Sequence, residues 1–161
     1  MYDYQRAKDG SIVGSARLGM PAMFSHGVLL HVFHSVHFLD LDNNLVTDDT
    51  LRQLGGLRQL KVLHISNCSV TEDGLASLVE LSALEVLTLD HVPITDDGLK
   101  VFVDFPGLSR LELCDTNVSD AGLRHLEQFS GLRYLNLLGT KVTGLGVLDL
   151  QKALPECEIV F

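Results

Sequence analysis

Apolar positions recur along this chain with a period of 24 residues, and within each period their spacing changes from two to three. In residues 84–107, apolar side chains alternate at Leu87 and Leu89 and then follow a helical spacing from Leu99 onward. Alternation places successive side chains on opposite faces of a strand, whereas a spacing of three or four lines one face of a helix. A fixed period of this length is typical of stacked strand–helix units.

The period predicts the organisation of the whole chain. Residues 21–161 are predicted to form one α/β solenoid domain, preceded by an N-terminal arm over residues 1–20 that is flexible or lies against the first repeat. Within the domain we predict a helical cap over 21–35, five 24-residue repeats over 36–155 and a terminal edge strand over 156–161. The atypical ends fit the rule that terminal repeats of a stack differ from the interior ones. In the edge strand, Ile159 and Phe161 occupy the two inward positions.

A hydroxyl residue followed by acids begins most of the predicted helices. We expect each hydroxyl to act as an N-cap and accept a free backbone N–H, at Thr47, Thr71, Thr95 and Ser119. Seven of the 21 carboxylates follow directly, where negative charge favours the positive end of the helix dipole. Residues 143–146 read Thr-Gly-Leu-Gly and lack these acids. Calcium binding at the acidic triplets is an alternative, but they lack the glycine-spaced loop that such a site needs.

Strand alternation predicts three columns of outward side chains across neighbouring strands. The first column is Phe38, Val62, Val86, Arg110 and Tyr134. The second column is Asp40, His64, Thr88, Glu112 and Asn136. The third column is Asp42, Ser66, Asp90, Cys114 and Leu138.

The first column contains an apolar stripe, which we define as Phe38, Val62 and Val86. Contiguous apolar residues rimmed by polar ones often mark an interaction site. We therefore predict partner binding at Phe38, Asp40, Asp42, Val62, His64, Val86, Thr88, Asp90, Arg110, Glu112, Tyr134 and Asn136. The alternatives are that the N-terminal arm covers the stripe, or that these are ordinary surface apolar residues.

A catalytic or metal site around His64 is a third interpretation of the same face. Asp40, Ser66 and Asp90 are close to His64 in the predicted register, and a hydrolase needs a nucleophile, a base and an orienting acid. Flat parallel strands, however, offer neither an oxyanion hole nor a pocket that excludes water. A metal held by His64, Asp40 and Asp42 is an equally simple alternative. An ordinary polar helix edge is our interpretation of the HxxHxxH tract at His31, His34 and His37.

Composition narrows the class of partner. The chain has 161 residues, 46% of them hydrophobic, which suits one domain with its own core. Its net charge of −9 disfavours a nucleic-acid partner, because neutralising phosphates requires a Lys/Arg surface.

We find neither a secretion signal nor a membrane span and expect a cytoplasmic protein. The cysteines are an odd, scattered set predicted to be reduced thiols, with the acid Glu112 expected to raise the pKa of an outward Cys114.

The motif LxxLxLxxT/CxI/VTDxGLxxLxx resembles leucine-rich-repeat proteins of the ribonuclease-inhibitor-like, cysteine-containing type. The segments ITDDGL, VSDAGL and VTEDGL are especially similar to 24-residue arrays of planctomycete-type bacteria, and this resemblance covers residues 36–161. It implies a right-handed solenoid, or horseshoe, with a parallel concave β-sheet and convex α-helices. It also implies a non-catalytic protein–protein interaction module without a cofactor.

The expected partner is a protein with a basic or polar surface, since Asp40, Asp42, Asp90 and Glu112 lie on the strand face. The oligomeric state is left open by the sequence. Eukaryotic F-box proteins carry similar repeats, so the substrate-recognition arm of a ubiquitin-ligase-like adaptor is an alternative. Residues 1–35 are short for that role and lack a recognisable set of adaptor-binding helices.

Overall fold

The computed structural model describes residues 36–161 and, in addition, the backbone of two short strands, β1 (Asp3–Arg6) and β2 (Ile12–Ser15). The helical cap predicted over 21–35 lies outside the described residues, as does the remainder of the N-terminal arm. Within the arm, β1 and β2 pair in an antiparallel manner and β2 lies parallel to the first repeat strand.

In the part of the chain that the structure describes, eight strands form one sheet, and their spatial order is their order in the chain. The six repeat strands, all parallel to their neighbours, are β3 (Val36–Asp40), β4 (Val62–His64), β5 (Val86–Thr88), β6 (Arg110–Glu112), β7 (Tyr134–Asn136) and β8 (Glu158–Val160). Parallel neighbours need a crossover between them, and here each crossover is the rest of one repeat. The fold class predicted from the sequence, an α/β solenoid with a parallel sheet, is confirmed.

The register of the sheet pairs residues that are 24 apart, as in Val62 with Val86 and His64 with Thr88. Equivalent positions of successive repeats therefore lie side by side. Between them, the inward positions Leu63 and Leu87 are fully buried. The three columns derived from alternation are thus formed across the strands.

The crossovers on the opposite face are helical but not uniformly α. They are α1 (Asp48–Leu54), α2 (Glu72–Ala76) with the 3₁₀ helix Ser77–Glu80, the 3₁₀ helix Asp97–Asp104, α3 (Asp120–Leu123) and α4 (Gly144–Ala153). In the Asp97–Asp104 helix, the β-branched Val101 and Val103 are weak α-helix formers. A short crossover also closes more backbone hydrogen bonds in the tighter 3₁₀ form, which is common in such pieces.

One continuous apolar core fills the space between the sheet and the helices. Its helical side is a stripe spaced by three residues, for example Leu99, Phe102 and Phe105, which are at most 2% exposed. Burying one such side chain stabilises the fold by about 1.5–3 kcal/mol. Phe161 was expected to be inward but is 54% exposed. The equivalent residues of earlier repeats, such as Leu41, are fully buried.

Candidate functional site

The strand face carries all twelve predicted partner-binding residues, but it does not expose them equally. The apolar stripe is half-buried, as are Arg110 and Tyr134 at the other end of the first column. In the second column, Thr88 and Asn136 are only 7% and 8% exposed. Their side chains are short and lie between larger neighbours in the same column. Thr88 and Asn136 therefore present little surface in the free protein, and their role in binding stays a prediction.

His64 lies against the apolar stripe rather than in an ion pair. Its ring meets that of Phe38 edge to face, with ring centroids 5.2 Å apart and an interplanar angle of 61°. Aromatic pairs of this geometry are favourable beyond the area they bury. Among the described residues His64 forms no ion pair with the neighbouring Asp40, and the only histidine ion pair there joins His91 Nε2 to Asp115 Oδ2 at 3.7 Å.

The acids of the strand face each support the adjoining backbone. Asp42 Oδ1 accepts the N–H of Ser66 at 2.5 Å, and Asp90 Oδ1 accepts the N–H of Cys114 at 2.8 Å. Asp40 Oδ1 accepts the N–H of Asp42 at 3.1 Å. Each carboxylate is oriented through one oxygen, so these side chains contribute to the fold as well as to the surface.

On β6 and β7, the charged side chains of the strand face neutralise one another. Arg110 Nε donates to Glu112 Oε1 at 2.9 Å, and its guanidinium lies 3.7 Å from the centre of the Tyr134 ring. By contrast, within residues 36–161 no cationic group lies within 4.0 Å of Asp40, Asp42 or Asp90. The uncompensated negative charge of the face is therefore concentrated on β3 to β5 and the turns that follow them.

The geometry offers no support for the hydrolase or metal interpretation. Ser66 Oγ has no hydrogen-bond partner among the described residues, so it is not hydrogen-bonded to His64 as a nucleophile would be to its base. In the same part of the chain, no three His, Cys, Asp or Glu side chains are grouped to hold a metal ion. His31 and His34 of the histidine tract lie outside the described residues.

The three cysteines are free thiols, and Cys68 and Cys157 are buried. Burial, followed by the negative charge of Asp90, raises the pKa of Cys114 to about 11. The neighbouring Glu112, named from the sequence as the cause, contributes less than these two effects. Burial also raises the pKa of Cys157 to about 11, so neither thiol is activated as a nucleophile.

A second set of acids, at the helix starts, forms contacts that the sequence analysis missed. Asp48 accepts both the N–H and the O–H of Thr71 in the next repeat, at 2.8 Å and 2.7 Å. Asp96 accepts the same two groups of Ser119, at 2.7 Å and 2.6 Å. We call this row the helix-start ladder; its pairs are Asp48–Thr71, Glu72–Thr95, Asp96–Ser119 and Asp120–Thr143.

The ladder corrects the N-cap prediction at Thr71. The side chains of Thr71 and the equivalent Thr143 accept no backbone N–H from their own helices; their hydroxyls donate instead to the preceding repeat's carboxylate, a charged and therefore strong acceptor. Ser119 does both, since its oxygen also accepts the N–H of Ala121 at 3.3 Å. The N–H and O–H of Thr143 hold the pKa of Asp120 below its ordinary value near 3.8.

The glycine of each Thr-acid-x-Gly motif makes room for this ladder. A Cβ at Gly122 would lie 2.5 Å from Asp96 Oδ1 and 2.9 Å from Asp96 Cα. At Gly98 it would lie 2.6 Å from Cγ of Glu72. The first repeat has Thr50 at the glycine position, and Gly144 replaces the acid in the last. These two departures were a sequence signal that the acid and the glycine belong to a contact between neighbouring repeats.

Comparison with known proteins identifies the fold. A leucine-rich-repeat protein of Leptospira interrogans is similar over 80% of this chain and 32% of its own length, with 26% identity and a TM-score of 0.61. Internalin C2 of Listeria monocytogenes is similar over 82% and 53%, with 24% identity and a TM-score of 0.62. The Mex67:Mtr2 subunits of Chaetomium match 62% of the chain at 23% identity and a TM-score of 0.51.

The chain therefore has the leucine-rich-repeat fold and spans about a third of the Leptospira protein and about half of the internalin. No family model and no curated protein matches the sequence. Proteins of this fold commonly serve as protein-interaction modules, which is the general class supported for this chain. Among its described residues, no helix has the length and apolar character to cross a membrane.

Proposed function

We propose that this chain is a non-catalytic interaction module of the ribonuclease-inhibitor-like type, and that its concave strand face binds a protein partner. The observation that carries the proposal is the apolar stripe: Phe38, Val62 and Val86 stand in direct register on three adjacent strands. Side chains placed side by side by the sheet make one contact surface instead of scattered apolar residues.

The rest of the molecule supports this choice of face. The inward positions of the sheet form the core, and the four acids of the helix-start ladder are engaged between repeats. The first two columns, in contrast, carry apolar, cationic, acidic and aromatic side chains at equivalent positions of successive repeats. Half-buried aromatic and apolar residues beside polar ones are the usual composition of a protein-binding surface.

The proposal is tested by charging the stripe. Val62→Glu combined with Val86→Glu is expected to weaken capture of cross-linked partners from the source organism by at least tenfold, because a carboxylate would be desolvated in the apolar contact. Quantitative mass spectrometry measures the capture, and circular dichroism checks that the array stays folded. Val103→Glu, at a 40% exposed position of the Asp97–Asp104 helix, is the matched control. Equal capture by the double variant and the control would overturn the concave-face proposal.

A further inference from the structure

We infer that the strand face recognises a cationic side chain of its partner, a lysine ammonium, at an acidic centre formed by Asp42, Ser66, Thr88 and Asp90. This inference rests on the proposed function and specifies the chemistry of the partner. It is carried by two independent observations among residues 36–161: carboxylates without a cationic partner, and buried hydroxyls without a hydrogen-bond partner.

The register places the four side chains together. Asp42, Ser66 and Asp90 are consecutive members of the third column, and the hydrogen bond from the Ser66 N–H to Asp42 joins two of them directly. Thr88 pairs with His64 in the second column and precedes Asp90 by two residues. Neighbouring strands are about 4.8 Å apart, so an ammonium placed over Ser66 lies between the carboxylates of Asp42 and Asp90.

The orientation of the hydroxyl residues follows from their buried neighbours. Ile65, Leu87 and Leu89 are fully buried in the core. Ser66 and Thr88 alternate with them along the chain and therefore point toward the strand face. Both side chains are more than nine-tenths buried, at 5% and 7% exposure.

Their oxygens are unsatisfied. Ser66 Oγ and Thr88 Oγ1 have no hydrogen-bond partner among the described residues. Buried polar atoms are nearly always hydrogen-bonded, so two neighbouring hydroxyl oxygens without a partner indicate a site for a ligand that donates hydrogen bonds. A hydroxyl can rotate to offer its lone pairs, and an ammonium brings three donors. A lysine side chain therefore matches these acceptors together with the carboxylates beside them.

The charge of the centre selects a cation over an anion. Asp42 and Asp90 each use Oδ1 for a backbone N–H, and the Cys114 thiol also lies against the Asp90 carboxylate. Oδ2 of Asp42 receives no donor from the described residues. The hydroxyl oxygens are covered in the free protein, so a ligand meets the half-exposed carboxylates first, and these favour a cation. Arg110 does not fill this role, because it is held by Glu112 and Tyr134.

The test uses three acetylated, amidated pentapeptides, Leu-Lys-Leu-Lys-Leu and its Gln and Glu counterparts, titrated against the whole chain and followed by calorimetry and amide NMR shifts. We expect the lysine peptide to bind at least tenfold more tightly than the glutamine peptide, with the largest shifts at Ser66, Thr88 and Asp90. Asp42→Asn with Asp90→Asn is expected to remove that preference. Asparagine keeps the Oδ1 acceptor for the backbone N–H groups, so the variant loses charge without losing these contacts.

Asp104→Asn with Glu127→Gln removes the same charge from exposed positions outside the strand face and is the matched control. The acidic centre is overturned if the lysine peptide does not bind at millimolar concentration. It is also overturned if the control loses the preference for the lysine peptide as fully as the Asp42→Asn, Asp90→Asn variant does. Equal binding of the lysine and glutamine peptides that is lost in the Val62→Glu, Val86→Glu variant overturns it too, but leaves the concave-face proposal standing. Lysine-specific binding that is unchanged by Val62→Glu and Val86→Glu supports the acidic centre and contradicts binding through the apolar stripe.

Discussion

The carboxylates at the helix starts and those on the strand face differ in how many of their oxygens the fold uses. At the helix starts, Asp48, Asp96 and Asp120 each accept two hydrogen bonds from the following repeat, one on each oxygen. On the strand face, Asp42 and Asp90 each accept one backbone N–H, and the Cys114 thiol also lies against Asp90. The first set joins repeats through both carboxylate oxygens, whereas the backbone of the next repeat engages only one oxygen of Asp42 and of Asp90.

The difference arises from what stands opposite each acid. A ladder acid faces a hydroxyl residue whose N–H is also free, and a glycine without a side chain leaves room for the carboxylate. An acid of the third column meets the backbone of the next turn and, at Asp90, the Cys114 thiol. Residue type alone thus does not distinguish the two sets of acids. They differ in the number of donors that the neighbouring repeat supplies.

The largest effect is expected from closing the space that the ladder occupies. Gly122→Ala would bring a methyl group within 2.9 Å of the Asp96 backbone, which cannot move aside as a flexible side chain can. We expect a loss of about 2 kcal/mol in the free energy of unfolding, measured by urea denaturation, since overpacking of this kind costs about 1–3 kcal/mol.

Gly55→Ala is the control for that substitution. A Cβ there would meet Ser77 O at 3.4 Å, an ordinary contact, and the backbone of Gly55 is already helical with φ −53°. We expect it to be neutral or stabilising by about 0.5 kcal/mol. Equal destabilisation by the two substitutions would show that the space at Gly122 is not reserved for the carboxylate.

A smaller effect is expected from removing one acid of each set. Asp96→Ala removes both acceptors of Ser119 and should cost about 1–2 kcal/mol, since hydrogen bonds to charged groups are worth more than neutral ones. Asp40→Ala removes one 3.1 Å contact on the strand face and should stay within about 0.5 kcal/mol. Chemical denaturation of the two variants side by side measures the contrast. A cost for Asp40→Ala as large as that for Asp96→Ala would abolish the distinction between the two sets.

The smallest effect concerns pH. The pKa of Asp120 is lowered first by the N–H and then by the hydroxyl of Thr143, so the ionised form is favoured in the folded state. The resulting stabilisation is fully present above the unfolded pKa near 4 and is lost as the pH falls through the lower folded value.

Thr143→Val removes only the hydroxyl and should lower the melting temperature by a few degrees at pH 7. This deficit relative to the unmodified chain should shrink between pH 4 and pH 2. Thr143→Ser keeps both donors and should follow the unmodified chain throughout. Thermal denaturation at successive pH values makes the measurement, and a deficit that stays constant down to pH 2 would contradict the assignment.

The sequence predicts the parts of the structure that follow from the 24-residue period. The buried positions, the strand columns and the stacking order follow from the recurrence of Leu87, Leu89 and Leu99 in each repeat, because a repeated pattern allows only one register that buries every copy. The site residues are placed by the same register, although their role in binding stays a prediction.

What the sequence did not reveal depends on contacts between repeats. The acceptor of the Thr71 hydroxyl lies 23 residues away in Asp48, and local capping rules assign that hydroxyl to its own helix instead. The burial of Thr88 and the edge-to-face contact of His64 with Phe38 depend on the sizes of side chains on adjacent strands. Alternation states which face a side chain points to, but not how far its neighbours cover it.

The helix-start ladder also governs how this protein can change in length. Each interior junction joins an acid to a hydroxyl residue and a glycine of the next repeat, so these junctions are interchangeable. Deleting residues 84–107, for example, would set Glu72 against Ser119 and Gly122 in place of Thr95 and Gly98. Duplication of the same block would create one more matched junction. The first repeat has Thr50 in place of the glycine, and the last has Gly144 in place of the acid. Such recombination is therefore restricted to the repeats that lie between them.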